Sequence, residues 1–254
     1  MTETVRVTNM TNEEFLRQYA QAGRVGLAGG VTLLDKMIAR AQRHIDDAER
    51  WSQWSHSFFF QGQRPDGHEW VIESDLDIHR KHVRLGVQEN RITKYHDNEF
   101  YTTLAVLDFD LTPEQIQALV RQGLEMVATR CRYSVRELVG TLIALKRPEL
   151  RATKNPLQRD ECFYCSAFVS HLFRQAGIDL APGLNVKNIT PEDVARTLVP
   201  HKMYVLERAV AHSSLAAVRD KAKLRVGRAR QRVRGDVINL VGKVRSIRRR
   251  PAAG

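Results

Sequence analysis

The chain has 254 residues, 43% of them apolar, which is enough for one large domain or a domain with an appendage, and it contains no run of about 18 apolar residues that could cross a membrane as a helix. Its three cysteines, Cys131, Cys162 and Cys165, are too few for the disulfide framework of a small secreted domain. The formal net charge of +11 is confined to residues 219–250, where 13 Lys or Arg face only Asp220 and Asp236, so the body is neutral and nucleic-acid binding by it is disfavoured.

In chain order, Thr11-Asn12-Glu13-Glu14 reads as a capping box opening a helix to about Ala22, with Gly23 as its stop. Leu33, Leu34, Met37, Ile38 and Ala41 fall at helical spacing within a second helix expected over 31–50. The period then shortens: 55–61 (SHSFFFQ) and 69–74 (EWVIES) read as two strands, and Pro65-Asp66-Gly67 between them as the turn of an antiparallel hairpin. Further strands are expected over 82–87 and 101–109. Thr112-Pro113-Glu114-Gln115 starts a helix to about Thr129, and another is expected over 135–145. The polar, proline-bearing 146–159 reads as a surface loop. Helices follow over 165–176, stopped by Gly177, and from Thr190-Pro191 to about Leu198. Helices and strands in this segregated order point to an α+β fold, an antiparallel sheet packed against helices.

The chemistry centres on Cys165. A cysteine nucleophile needs a thiolate, a base and donors for the oxyanion; a helix N-terminus helps with the first and the last through its unpaired N–H groups and dipole. Phe168, Val169, Leu172, Phe173 and Ala176 supply the apolar stripe that anchors such a helix. His56 opens one strand of the expected hairpin and Glu73 lies on the other. A hairpin centred near Arg64 and Pro65 sets His56 against position 73 or 74, where a carboxylate would orient the imidazole and fix its tautomer. Cys162-Phe163-Tyr164-Cys165 is also a C-x-x-C at a helix start, the layout of thioredoxin-like redox sites. That reading requires an apolar strand directly before the motif, and residues 155–161 (NPLQRDE) do not form one. One C-x-x-C without a second pair does not make a zinc site, and His79 with His82 is a weak metal pair. Cys131 reads as a buried structural thiol and His171 as an exposed residue on another face of its helix. No metal and no cofactor is expected.

The segments SHSFFFQG, WVIES and CFYCSAFVSHLFRQAGI, in this order, resemble the circularly permuted NlpC-type papain-like proteins, the YiiX/YaeF group, which are themselves similar to lecithin:retinol acyltransferase. In that group the His strand precedes the Cys helix, as here, and the resemblance covers about residues 23–206. It implies a permuted papain-like core with Cys165 as nucleophile, His56 as base and Glu73 as the orienting third group. Around them Tyr164, Ser166, Ser55 and Phe58 are expected to shape the substrate pocket, Phe58 by narrowing it. Two departures stand out: Ser57-Phe58 follows the His where the group often has a small apolar residue and Gly, and Arg24-Val25-Gly26-Leu27 stands where it often has Asp-Ile-Leu.

The tail, 209–254, carries apolar residues at 215, 218, 222, 226, 229, 233, 237, 240, 244 and 247, all three or four apart, with Arg and Lys on the other face. A basic amphipathic helix of this kind suits an anionic membrane surface over 215–250; the alternatives are a helix packed on the body with a solvated basic face and a nucleic-acid binder, whose phosphates need no apolar stripe, and Gly227, Gly235 and Gly242 weaken the helix by about 1 kcal/mol each. The expected organisation is an N-terminal helix (1–22), the thiol hydrolase domain (23–208) and this tail. The N-terminus lacks the apolar run of a secretory signal, so the expected location is the cytosol, peripheral on a membrane if the tail binds one, with any action outside the cell needing a non-standard export route. Two functional readings follow: an enzyme that cleaves or transfers an acyl group of a peptide or lipid substrate through Cys165, or a non-catalytic binding module of the same fold.

Overall fold

A computed structural model describes residues 2–45, 50–77, 84–131, 135–146, 148–153, 155 and 163–208. Residues 1–208 form one unit separate from 209–254, and the tail lies outside the described residues. The first unit is α+β. Its seven strands are β1 (Glu3–Val7), β2 (Val25–Gly30), β3 (His56–Gln63), β4 (Glu69–Asp77), β5 (Arg84–Arg91), β6 (Tyr101–Asp108) and β7 (Lys202–Leu206). They form a single sheet in the order β1-β7-β6-β2-β3-β4-β5. Every pairing is antiparallel except that of β1 with β7 at one edge, which is parallel. The helices are α1 (Asn12–Tyr19), α2 (Leu33–Ala41), α3 (Pro113–Ala128), α4 (Val135–Ala144), α5 (Pro148–Arg151), α6 (Cys165–Gln175) and α7 (Pro191–Ala195).

Four of these helices begin with the same chemistry. Thr11, Thr32, Thr112 and Thr190 each accept from a backbone N–H three residues on, and the residue there, Glu14, Asp35, Gln115 or Asp193, reaches back to the Thr N–H. Each box satisfies two N–H groups that a helix start leaves orphaned. Helix α6 is different: Tyr164 occupies its N-cap and no side chain caps it.

The sheet is buried on both faces. On one, Val25, Leu27, Phe59, Ile72, Ala105 and Leu107 pack with Phe168, Val169, Leu172 and Phe173 of α6 and with Leu119 and Met126 of α3. On the other, Ala28, Phe58, Phe60, Val71, Leu104 and Val106 pack with Phe15 and Leu16 of α1 and with Ile92 and Tyr95 of a 3-10 turn (Ile92–His96). The period of two along β3 sends Phe58 and Phe60 to one face and Phe59 to the other. This two-sided burial makes β3 a nearly continuous aromatic run, without the alternation of a half-exposed strand.

Several expectations shift at their edges. Helix α1 ends at Tyr19, three residues before Ala22. The helix expected over 31–50 is shorter: α2 covers Leu33–Ala41 and tightens to a 3-10 turn at Gln42–Ile45. The loop expected over 146–159 contains α5, and α7 stops at Ala195 rather than Leu198. Strands β1, β2 and β7 were not anticipated at all.

Candidate active site

Helix α6 carries Cys165 at its first position. Phe168, Val169, Leu172 and Phe173 are wholly buried, each contributing about 1.5–3 kcal/mol of apolar burial, so the thiol stands on an anchored element. The helix packs on β3 and β4. Cys165 is a free thiol, 4% exposed. The Tyr164 side chain makes no cap hydrogen bond to the first turn of α6, and a helix start presents N–H groups that favour negative charge.

The ladder between β3 and β4 runs from Gln63↔Glu69 to Phe59↔Ile72 and is interrupted by a bulge between Phe60 and Gly62, where Gly62 has φ +99°. Such a positive φ suits glycine and lets the strand absorb an extra residue. Past Phe59 the two strands continue without ladder bonds to each other, while β4 stays paired with β5. His56 and Glu73 meet in this unpaired stretch. Carrying the observed register on sets His56 level with Asp75 and Phe58 level with Glu73, so His56 reaches Glu73 diagonally. The expected opposition at 73 or 74 set the hairpin's centre near Arg64 and Pro65, whereas the Gln63↔Glu69 pair centres it on Asp66; the bulge then moves the register by one toward the expected opposition.

Nε2 of His56 lies 2.6 Å from Oε2 of Glu73. The Glu73 side chain is fully buried and that of His56 is 14% exposed. Oε2 also accepts from Tyr95 Oη at 2.5 Å, while Oε1 accepts from Asn90 Nδ2 and Lys94 Nζ, each at 2.7 Å. Four donors thus satisfy one carboxylate, as a buried charge requires. Lys94 is shared with Asp75 Oδ2 at 2.6 Å. Tyr95 stacks on Phe58, ring centroids 4.1 Å apart, and its ring lies 6.4 Å from that of His56.

Burial alone would raise the Glu73 carboxyl, but the Lys94 ammonium and the His56 hydrogen bond and charge hold it well below the usual carboxylate range. Burial alone would lower His56. Its hydrogen bonds to Cys165 and Glu73, and the charges of both, overcome that and push it up to about 10. Burial and the Glu73 charge raise the Tyr95 phenol, so it stays a donor. An ionised carboxylate only accepts, so Nε2 carries the proton toward Glu73 and Nδ1 is left to face the thiol.

No family model matches the chain, and no curated protein matches it. Among solved structures it is similar to the metalloprotein YiiX from Escherichia coli O157:H7, at 13% identity and a TM-score of 0.48, over 75% of this chain and 98% of that one.

The structure thus brings Cys165, His56 and Glu73 together and puts the four expected pocket residues in buried positions. Tyr164 Oη donates to the Ile189 carbonyl at 2.9 Å and accepts from Thr141 Oγ1. Ser166 Oγ donates to the same carbonyl at 2.8 Å. Ser55 Oγ donates to Asp35 Oδ1 at 2.7 Å and accepts from Gly30 N, tying the cap of α2 to the strand that leads into His56. Phe58 faces Tyr95 on the far side of the sheet from α6. Gly26 lies under its ring, where a Cβ would come within 2.2 Å. These four hold the site's frame, with their polar atoms spent on the protein itself.

Asn90, Lys94 and Tyr95 went unread in the sequence. Their signal is faint: Gln88 and Asn90 put polar residues at alternate positions of β5, where a buried face would be apolar. His171 is partly buried, its ring 4.8 Å from that of Phe163. Cys131 is partly exposed. Cys162, His79 and His82 lie outside the described residues, and with them the C-x-x-C and metal-pair readings. Among the described residues no three His, Cys, Asp or Glu side chains are grouped to hold a metal ion. A groove of about 630 Å3 lies between Gln61 and the Ile116, Val120 and Leu124 face of α3, at the other end of β3 from His56.

Proposed function

We propose that this chain is a papain-like cysteine hydrolase or acyltransferase that cleaves an amide or ester through a thioester on Cys165. The observation that carries the reading is the ordered contact Cys165–His56–Glu73, with one imidazole nitrogen committed to a buried carboxylate and the other left for the thiol. The thiolate is the attacking species of such enzymes, and a neighbouring cation and a helix N-terminus are what favour it.

In this scheme the Cys165 sulfur adds to the acyl carbonyl carbon. The resulting oxyanion accepts from the first-turn N–H groups of α6. As the tetrahedral species collapses, His56 gives its Nδ1 proton to the leaving amine or alcohol, and the acyl group stays on sulfur. Water, or an acceptor alcohol or amine, then loses a proton to His56 and attacks the thioester, which frees the thiol. Glu73 remains ionised throughout and holds the ring. A peptide or a lipid-linked acyl group serves as substrate, and residues 215–250 would bring the enzyme to an anionic membrane surface.

The test is to incubate the full chain with panels of peptide amides and lipid esters and search Cys165 for an acyl adduct by mass spectrometry. An adduct lost in Cys165→Ala and reduced at least a hundredfold in His56→Ala, the lower end of what a general base contributes, supports the reading. A non-catalytic binding module would bind members of the panels and acquire no adduct.

A further inference from the structure

The proposed triad rests on a carboxylate that β3, β4 and β5 bury completely, and burying an unpaired charge is costly enough that such a group ordinarily takes up a proton. What keeps Glu73 from doing so is visible in its partners. Oε2 is divided between His56 and Tyr95, and Oε1 between Asn90 and Lys94. Of the two Oε1 partners only Lys94 is charged, and it does not hang free. Its ammonium is pinned between Glu73 and Asp75, at 2.7 and 2.6 Å, with 16% of the side chain exposed, and it sits 5.2 Å from the centre of the Tyr95 ring.

We propose that Lys94 is the positioning residue of this site: anchored on Asp75 and occupying Oε1, it keeps the Glu73 carboxylate charged and turned so that Oε2 alone meets His56. The inference rests on the triad reading above. Among the described residues the groups that face Glu73 are His56 from β3, Asp75 from β4, Asn90 from β5 and Lys94 and Tyr95 from the 3-10 turn, with the Tyr101 phenol of β6 raised by burial and by the charges of Glu73 and Asp75. Among the described residues, Lys94 is the ammonium that Glu73 and Asp75 share, and it offsets one of their two charges. Without the ammonium Glu73 loses the positive charge paired with Oε1, and a proton on Glu73 is the cheapest relief. A protonated Glu73 would offer Nε2 a weaker partner, and the imidazolium of His56 would lose the charge that supports it. Lys94 touches no reacting atom in this scheme; it acts through Glu73.

The experiment follows the rate of Cys165 alkylation by iodoacetamide against pH in the full chain, with the adduct located by mass spectrometry and each variant checked for a cooperative melt. Lys94→Met should move the acid limb of the profile up by about one pH unit or more, a tenfold or larger loss of rate at a fixed pH on that limb. Lys94→Arg should retain the wild-type profile. In a Glu73→Gln background, which removes the carboxylate, adding Lys94→Met should change the profile no further, because residues acting through one group do not add. If Lys94→Met lowers the rate by one factor at every pH, and does so again in the Glu73→Gln background, Lys94 serves the fold alone and the proposal fails while the triad stands. If wild-type Cys165 is itself unreactive, the triad reading fails and this inference goes with it.

Discussion

At the scale of single residues the account turns on His56, an imidazole between a thiol and a buried carboxylate. Its folded-state value of about 10 lies above the ordinary value near 6.5, so the folded chain holds this proton more tightly than the unfolded chain. The stability it contributes is fully present below about pH 6.5 and is lost as pH rises toward 10. Wild-type melting temperature should therefore fall between pH 7 and 10, and His56→Gln should flatten that fall; parallel slopes in the two proteins would contradict the assignment. Glu73 behaves in the opposite sense: its depressed carboxyl stabilises the fold above the ordinary carboxylate range near 4.3 and loses that contribution on acidification. Glu73→Gln strands half of the charge that Lys94 was paired to, and breaking a buried pair from one side costs about 3–5 kcal/mol, which denaturant titration at pH 7 would detect. Cys165, His56 and Glu73 were legible in the sequence because each type is chemically conspicuous where it stands. Lys94 and Tyr95 were not, since a lysine and a tyrosine after a strand look like any solvated turn until the fold folds them back over β4.

At the scale of elements, the helix starts were the most legible feature, because a capping box is a local device whose four residues are contiguous. Strand β2 was the least. Its sequence, VGLAGG, has little intrinsic strand preference, and its small residues are chosen by tertiary contact: the Phe58 ring occupies the space a side chain at 26 would need. Gly26→Ala should force that ring off Tyr95 and destabilise the fold by about 1–3 kcal/mol, as overpacking does, with a loss of His56 ordering visible in its NMR line width. An unchanged melt would show that the stack yields freely. The hairpin was legible but its register was not, because Pro65-Asp66-Gly67 allows more than one turn centre and the bulge at Gly62 adds a shift that the turn residues do not encode. On the α6 side, Phe173→Ala should cost about 3–5 kcal/mol and loosen the element on which the thiol stands.

At the scale of the molecule, two apolar layers enclose the sheet, one under α6 and α3 and one under α1 and the 3-10 turn, and the site occupies the place where β3 and β4 part between them. The α+β class could be read from the segregated order of helices and strands, whereas β1 and β7 could not, because a parallel edge pair joins the two ends of the unit and nothing local announces it. For the tail, the expectation is salt-sensitive co-sedimentation of the full chain with anionic vesicles and none with zwitterionic ones; equal binding to both would contradict it. The central claim is that a buried thiol is the active one. The measurement that tests it most directly is the relative alkylation of Cys165 and Cys131 by iodoacetamide near neutral pH, with mass spectrometry locating the adducts. The account predicts that Cys165, though 4% exposed, reacts faster than the more accessible Cys131 and that His56→Ala reverses the order. Preferential reaction at Cys131 in the wild-type protein would contradict it.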